Sequence, residues 1–138
     1  MKSFILTFAF VIIAGLIPWG FADDAVMAAV PTHKAAQLTA GPELESATDA
    51  SAIISWTITN PGSTDLHYGI VHYGTDSRNL DQVAKSPNRR NPSHPDMKFR
   101  VRIMGLNSNT TYYYKVESTG ATGASDGVSS TVKTFKTQ

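Results

Sequence analysis

Four histidines and eleven acidic residues are the groups in this 138-residue sequence that could move protons or hold a metal. Either task needs several of them to converge on one point. His33, His67, His72 and His94 are instead spread over loops and strands. His67 and His72 lie five residues apart, which on an extended strand places them on opposite faces, unable to share an ion. The expectation is that all four are solvent-exposed or in loops, and that the acidic residues are mostly isolated in turns. The chain has no cysteine, which excludes a disulfide framework, a thiolate metal site and a cysteine nucleophile. It also contains no GxSxG and no glycine-rich phosphate loop. No catalytic, cofactor-binding or metal-binding residue is assigned on this reading, and no cofactor.

Two sets of surface residues could instead recognise a partner. Lys98, Arg100 and Arg102 alternate with apolar residues and follow Arg89 and Arg90. On one strand face they could meet a sulfated or phosphorylated polymer, or they could be an ordinary solvated row that deters edge pairing. Twelve Lys and Arg stand against eleven Asp and Glu, so no global charge draws the chain to nucleic acid or an acidic membrane. The second set is Tyr68, Ile70 and His72 beside Tyr113 and Lys115, an apolar and aromatic patch of the kind that marks partner surfaces. Cross-strand pairing that stiffens a sheet would use the same residues.

Both sets depend on strands, and the strands centre on Phe99 to Ser118. In this stretch Phe99, Val101 and Ile103 share one face and Lys98, Arg100 and Arg102 the other. Gly105 and Asn107-Ser108-Asn109 then supply turn chemistry. A second alternation puts Tyr112, Tyr114 and Val116 inward and Thr111, Tyr113 and Lys115 outward. A Leu, a polar loop and then a Tyr six residues on (Leu106 and Tyr112) is the spacing of a tyrosine corner, whose hydroxyl bonds upstream backbone.

Around that pair, Ser51 to Thr59 reads as a strand with Ala52, Ile54, Trp56 and Ile58 inward. Leu66 to Thr75 follows the turn Asn60-Pro61-Gly62-Ser63, with Gly69, Val71 and Tyr73 inward and Tyr68, Ile70 and His72 outward. Pro42 to Thr48 is a weak edge strand and Leu80 to Ala84 a short one. Ser86 to Asp96, with three prolines, reads as an extended loop. Glu117 to Ser129 reads as a flexible tip. Val128 to Lys136 gives a last strand in which Val132 and Phe135 cannot both face inward without a bulge. Seven short strands and no helix-period segment predict an all-β, seven-stranded antiparallel sandwich.

Ahead of it, residues 1–22 read as a secretory leader. Lys2 precedes an apolar run from Phe4 to Ile17, and Gly20-Phe21-Ala22 suits cleavage after Ala22. The run is short for a membrane span of about 20 residues, though counting on through Ala22 approaches that length, and an uncleaved anchor is the alternative. Residues 23–41 read as a linker or disordered arm, and 42–138 as the domain.

Four segments carry a family resemblance: AIISWT (Ala52 to Thr57), IVHYGT (Ile70 to Thr75), VRIMGLNSNTTYYYKV (Val101 to Val116) and TFKT (Thr134 to Thr137). In their order and spacing the chain resembles a fibronectin type III domain, in particular the N-terminal module of purple acid phosphatases. The resemblance implies an immunoglobulin-like sandwich that is accessory to a metallophosphoesterase domain. That domain's two metal ions are held in motifs such as GDxxY and GNH[DE], neither of which occurs here. The expected function is a secreted, non-catalytic binding or spacer module contacting protein or carbohydrate, with no nucleic acid partner and no membrane after cleavage. The alternative is a detached accessory domain of a metal-dependent acid phosphatase.

Overall fold

The computed structural model describes residues 35–62 and 64–138. The leader, His33 and most of the expected linker lie outside the described residues. Eight strands form two antiparallel sheets. β1 (Leu38–Ala47), β2 (Ser51–Thr59) and β5 (Asp96–Met104) make a three-stranded sheet in the order β1-β2-β5. In the second sheet β4 (Gln82–Arg89), β3 (Leu66–Gly74), β6 (Thr111–Gly120) and β7 (Ser125–Ser129) follow one another. β8 (Lys133–Lys136) also pairs with β6, beyond the end of β7.

The inward sets are those that alternation marks. Ala52, Ile54, Trp56 and Ile58 of β2 meet Phe99, Val101 and Ile103 of β5 and Val71, Tyr114 and Val116 of the opposing sheet in one buried cluster. Trp56 stacks on Phe99 with ring centroids 5.2 Å apart. Gly69 makes room for the pair: a Cβ there would lie 2.7 Å from Phe99 Cδ1 and 2.9 Å from the Trp56 ring. The corner closes as its spacing predicts. Leu106 and Tyr112 are buried, and the Asn107 N–H donates to the Tyr112 hydroxyl at 3.0 Å. Tyr112 also stacks on Phe135 of β8, and the Thr137 hydroxyl donates to the Asn107 carbonyl at 2.6 Å. The end of the chain therefore fastens the bend.

Four boundaries differ from the sequence reading. β1 starts at Leu38 rather than Pro42, because Leu38 and Ala40 already pair with Ile58 and Thr57 of β2. Gly41, at φ 81°, carries the chain through the irregularity that follows. β4 runs through Pro87 into the segment expected to be a loop. A proline lacks only a donor, and an edge strand can leave that side unpaired. Asn88, opposite inward-facing His67, sends its amide to the Lys98 carbonyl of β5 at 2.5 Å. The expected last strand is two strands, β7 and β8, so the count is eight rather than seven. The break between them resolves the conflict of parity: Val128 and Phe135 are buried while Val132 is exposed. The flexible tip shrinks to the four residues between β6 and β7.

Candidate functional site

β3 and β6 are antiparallel neighbours, so the second set of residues does share the outer face of one sheet. Their register decides how far they form a patch. Tyr68 lies opposite Thr119, Ile70 opposite Glu117, His72 opposite Lys115, and Tyr113 opposite Gly74. The two tyrosines are thus six residues apart along β6, roughly 20 Å, at the two ends of the strip. Its middle is charged. His72 Nε2 lies 3.2 Å from Glu117 Oε2, and Lys115 Nζ lies 3.0 Å from Glu117 Oε1. Partial burial pushes the Glu117 carboxyl up, but Lys115 and His72 together outweigh this and hold it below the usual carboxylate value.

The remaining members are engaged with their neighbours. Ile70 is 9% exposed, and the Lys85 ammonium of β4 sits 5.5 Å from the centre of the Tyr68 ring. That is a cation–π distance. Beside it Val83 is the large apolar side chain that this face leaves open, 53% exposed.

Lys98, Arg100 and Arg102 point outward from β5, as alternation requires. Two of them meet a carboxylate from the edge strand. Glu45 of β1 accepts from the Arg100 guanidinium and lies 3.4 Å from Lys98 Nζ. The Arg100 and Ser55 hydrogen bonds hold the Glu45 carboxyl below its ordinary value. Arg89 is likewise paired, 2.9 Å from Asp65 at the far edge. A depression of about 80 Å³ beside this row is lined by Gly41, Glu43, Ser55, Trp56, Thr57 and Lys98 among others. That is well below the roughly 300–1,000 Å³ of a small-molecule site.

The histidines divide differently from the expectation. His72 and His67 do face opposite sides of β3, but His67 is neither exposed nor in a loop. It is fully buried. Its Nδ1 lies 3.0 Å from Asp126 Oδ2, and its Nε2 lies 2.9 Å from the Thr64 carbonyl. A carbonyl only accepts, so Nε2 is a donor, and a proton lies between Nδ1 and the carboxylate. Asp126 is 8% exposed, not an isolated turn residue. It is turned inward where β7 slips register against β6, with Gly127 at φ 83° beside it. The Asp126 carbonyl then accepts the Ala36 N–H at 2.8 Å. Fifty-nine positions separate the two side chains, and no local motif joins them. The signals that could have found them are parity, since His67 alternates with Gly69, Val71 and Tyr73 and Asp126 with Val128, and the Asp-Gly step in a segment otherwise rich in Ser and Thr.

Among the described residues these groups stand apart from one another. The buried pair has no access to solvent on the histidine side, and His72 and Glu117 have only a lysine for company. Among the described residues no group of three or more His, Cys, Asp or Glu could hold a metal ion.

No curated protein matches the sequence. Among solved structures, the chain is similar to the sensor domain of the anti-sigma factor RsgI4 from Pseudobacteroides cellulosolvens. A short form is 25% identical with a TM-score of 0.51, covering 75% of this chain and 95% of that one. A long form is 26% identical with a TM-score of 0.50, covering 74% and 88%. A family described as "Purple acid Phosphatase, N-terminal domain" matches residues 41–137. The match runs from the Gly41 irregularity through the stacked Trp56, the corner at Tyr112 and the closing Thr137, and the chain belongs to that family.

Proposed function

We propose that this chain is a secreted, non-catalytic binding or spacer module that contacts protein or carbohydrate through the outer face of β3 and β6. The observation that carries the reading is the ladder between those strands, which gathers Tyr68, Ile70, His72, Tyr113 and Lys115 on one surface. The family is named for the N-terminal domain of a phosphatase, and the solved domains this chain resembles are sensor domains of an anti-sigma factor. Both are accessory roles. Export rests on the apolar N-terminal run and its small-residue cleavage signal. A pull-down with the purified chain, comparing wild type with Tyr113→Ala, tests the surface. The expected result is a partner lost from the variant; an unchanged partner set counts against it.

The family match favours a second reading, an accessory domain serving a metal-dependent acid phosphatase domain. The purified chain given iron and zinc should then leave p-nitrophenyl phosphate untouched by itself. Turnover abolished by a chelator would overturn both readings.

A further inference from the structure

Each sheet of the sandwich ends in edge strands, whose outer N–H and C=O groups have no ladder to join. Most of these edges are blunted. β1 carries Pro42 and three shifts of register, and the Lys133 ammonium donates to its Pro42 carbonyl at 2.7 Å. β4 contains Pro87, and β7 and β8 are only five and four residues long. β5 has none of these devices. It pairs with β2 through nine successive residues, Asp96 to Met104, without a shift.

In an antiparallel pair, alternate residues turn both backbone groups toward the partner strand, and the residues between turn theirs away. The Lys98 carbonyl accepts from Asn88 of β4, so it points away from β2. Arg100, Arg102 and Met104 share that parity, and their backbone groups therefore lie on the open edge. Among the described residues no hydrogen bond reaches them there.

The side chains mark the same edge. Met104 is 70% exposed, more than any other large apolar side chain described. Lys98 and Arg100 share the Glu45 carboxylate, whereas Arg102 has no ion pair among the described residues. The other acids of this face stand apart from it. Glu43 is on β1, with β2 between, and Asp96 is six residues along β5, roughly 20 Å away. A row of cations deters pairing with a second copy, whose own row would bring like charge beside it. It favours an acidic strand, because opposite charges across a ladder attract.

From this we infer that the edge of β5 from Arg100 to Met104 takes up an extended acidic peptide segment as an added strand. This edge belongs to the sheet opposite β3 and β6 and acts independently of their outer face. The ladder supplies main-chain hydrogen bonds, and side chains at every second position supply the choice of partner. An acidic residue beside Arg102 and an apolar one beside Met104 complete the match. Asn88, holding the Lys98 carbonyl, sets one end of the site.

Blocked peptides that alternate glutamate with valine, or lysine with valine, test this by NMR on the isotopically labelled chain. The glutamate peptide should bind and the lysine peptide should not. In the complex the Arg100, Arg102 and Met104 amides should exchange more slowly. Those of Phe99, Val101 and Ile103, already turned to β2, should keep their rates. Arg102→Gln should weaken binding by on the order of fivefold. Arg102→Pro removes a donor that faces away from β2 and should abolish binding. Tyr113→Ala on the other sheet should change nothing. The free spectrum of each variant must match wild type. If Arg102→Pro does not fold, Arg102→Gln and the exchange pattern carry the test. Equal binding of both peptides overturns the acidic class, and binding that leaves the three amides unchanged overturns strand addition. Loss with Tyr113→Ala but not with Arg102→Gln overturns the location. If neither peptide binds, the inference fails, while the reading of the β3 and β6 face stands or falls by its own pull-down.

Discussion

Asp126→Ala isolates the His67–Asp126 contact, the one carboxylate–imidazole pair buried on both sides among the described residues. The substitution leaves His67 fully buried, with Nδ1 facing the space its partner filled. Removing one member of a buried pair costs about 3–5 kcal/mol. The lower end applies here, because the Thr64 carbonyl still holds the other ring nitrogen. A cost of about 3 kcal/mol is a large share of the roughly 5–15 kcal/mol that stabilises a domain. For a sandwich of this size it corresponds to a fall in Tm of roughly 12–24 °C. Urea unfolding and calorimetry measure the global term. Hydrogen exchange measures the local one: the Ala36 amide, bonded to the Asp126 carbonyl, should lose protection if the carboxylate holds the turned-in backbone of β7. His67→Leu and the double variant complete a cycle. With both polar partners gone no buried group is orphaned, so the double variant should be more stable than the summed single losses by about 0.5–3 kcal/mol. If Asp126→Ala stays within about 1 kcal/mol of wild type, or the cycle is additive, then the pair is incidental to folding and the reasoning fails.

Other substitutions probe the layers separately. Trp56→Ala removes the ring stacked on Phe99 and should cost about 3–5 kcal/mol in urea melts; a neutral result contradicts the core. Tyr112→Phe deletes the acceptor of the Asn107 N–H and should cost on the order of 1 kcal/mol, with the Asn107 amide exchanging faster. Gly69→Ala forces a methyl against Phe99 and Trp56 and should cost about 1–3 kcal/mol; a stabilised variant would show that the rings can yield. For Glu117 the folded carboxyl is held below its ordinary value. Its contribution is therefore complete above about pH 4.3 and is lost as pH falls through the lower folded value. The stability gap between wild type and Glu117→Gln should accordingly be largest at neutral pH and close in acid. A gap that is the same at pH 7 and in strong acid contradicts the pairing with Lys115 and His72.

Alternation was legible wherever a strand lies flat with one face buried. It placed the apolar inward sets of β2, β3, β5 and β6 but left His67 of β3, which shares the inward side, among the exposed groups, and the Leu106–Tyr112 spacing located the bend. It failed where the chain leaves that geometry. Pro87 reads as a loop residue because a local rule cannot know that β4 is an edge strand with an open side. Val128 and Phe135 could be reconciled only by splitting the strand at Ser130 to Val132, where Ser130 bonds the Val116 backbone in both directions. His67 and Asp126 both stand at inward parity, with Val71 and Val128 respectively, but that β3 and β7 flank β6 and so bring the two together is not written in either strand.

The outward sets show why facing and recognition are different properties. Sequence places Lys98, Arg100 and Arg102 on one face, but a charge is available only if no neighbouring strand answers it. β1 answers with Glu45, fifty-five positions before Arg100. On the other sheet Glu117 answers Lys115 in the same way, so in both layers the partner of an outward charge is set by strand order and pairing that a local pattern does not contain.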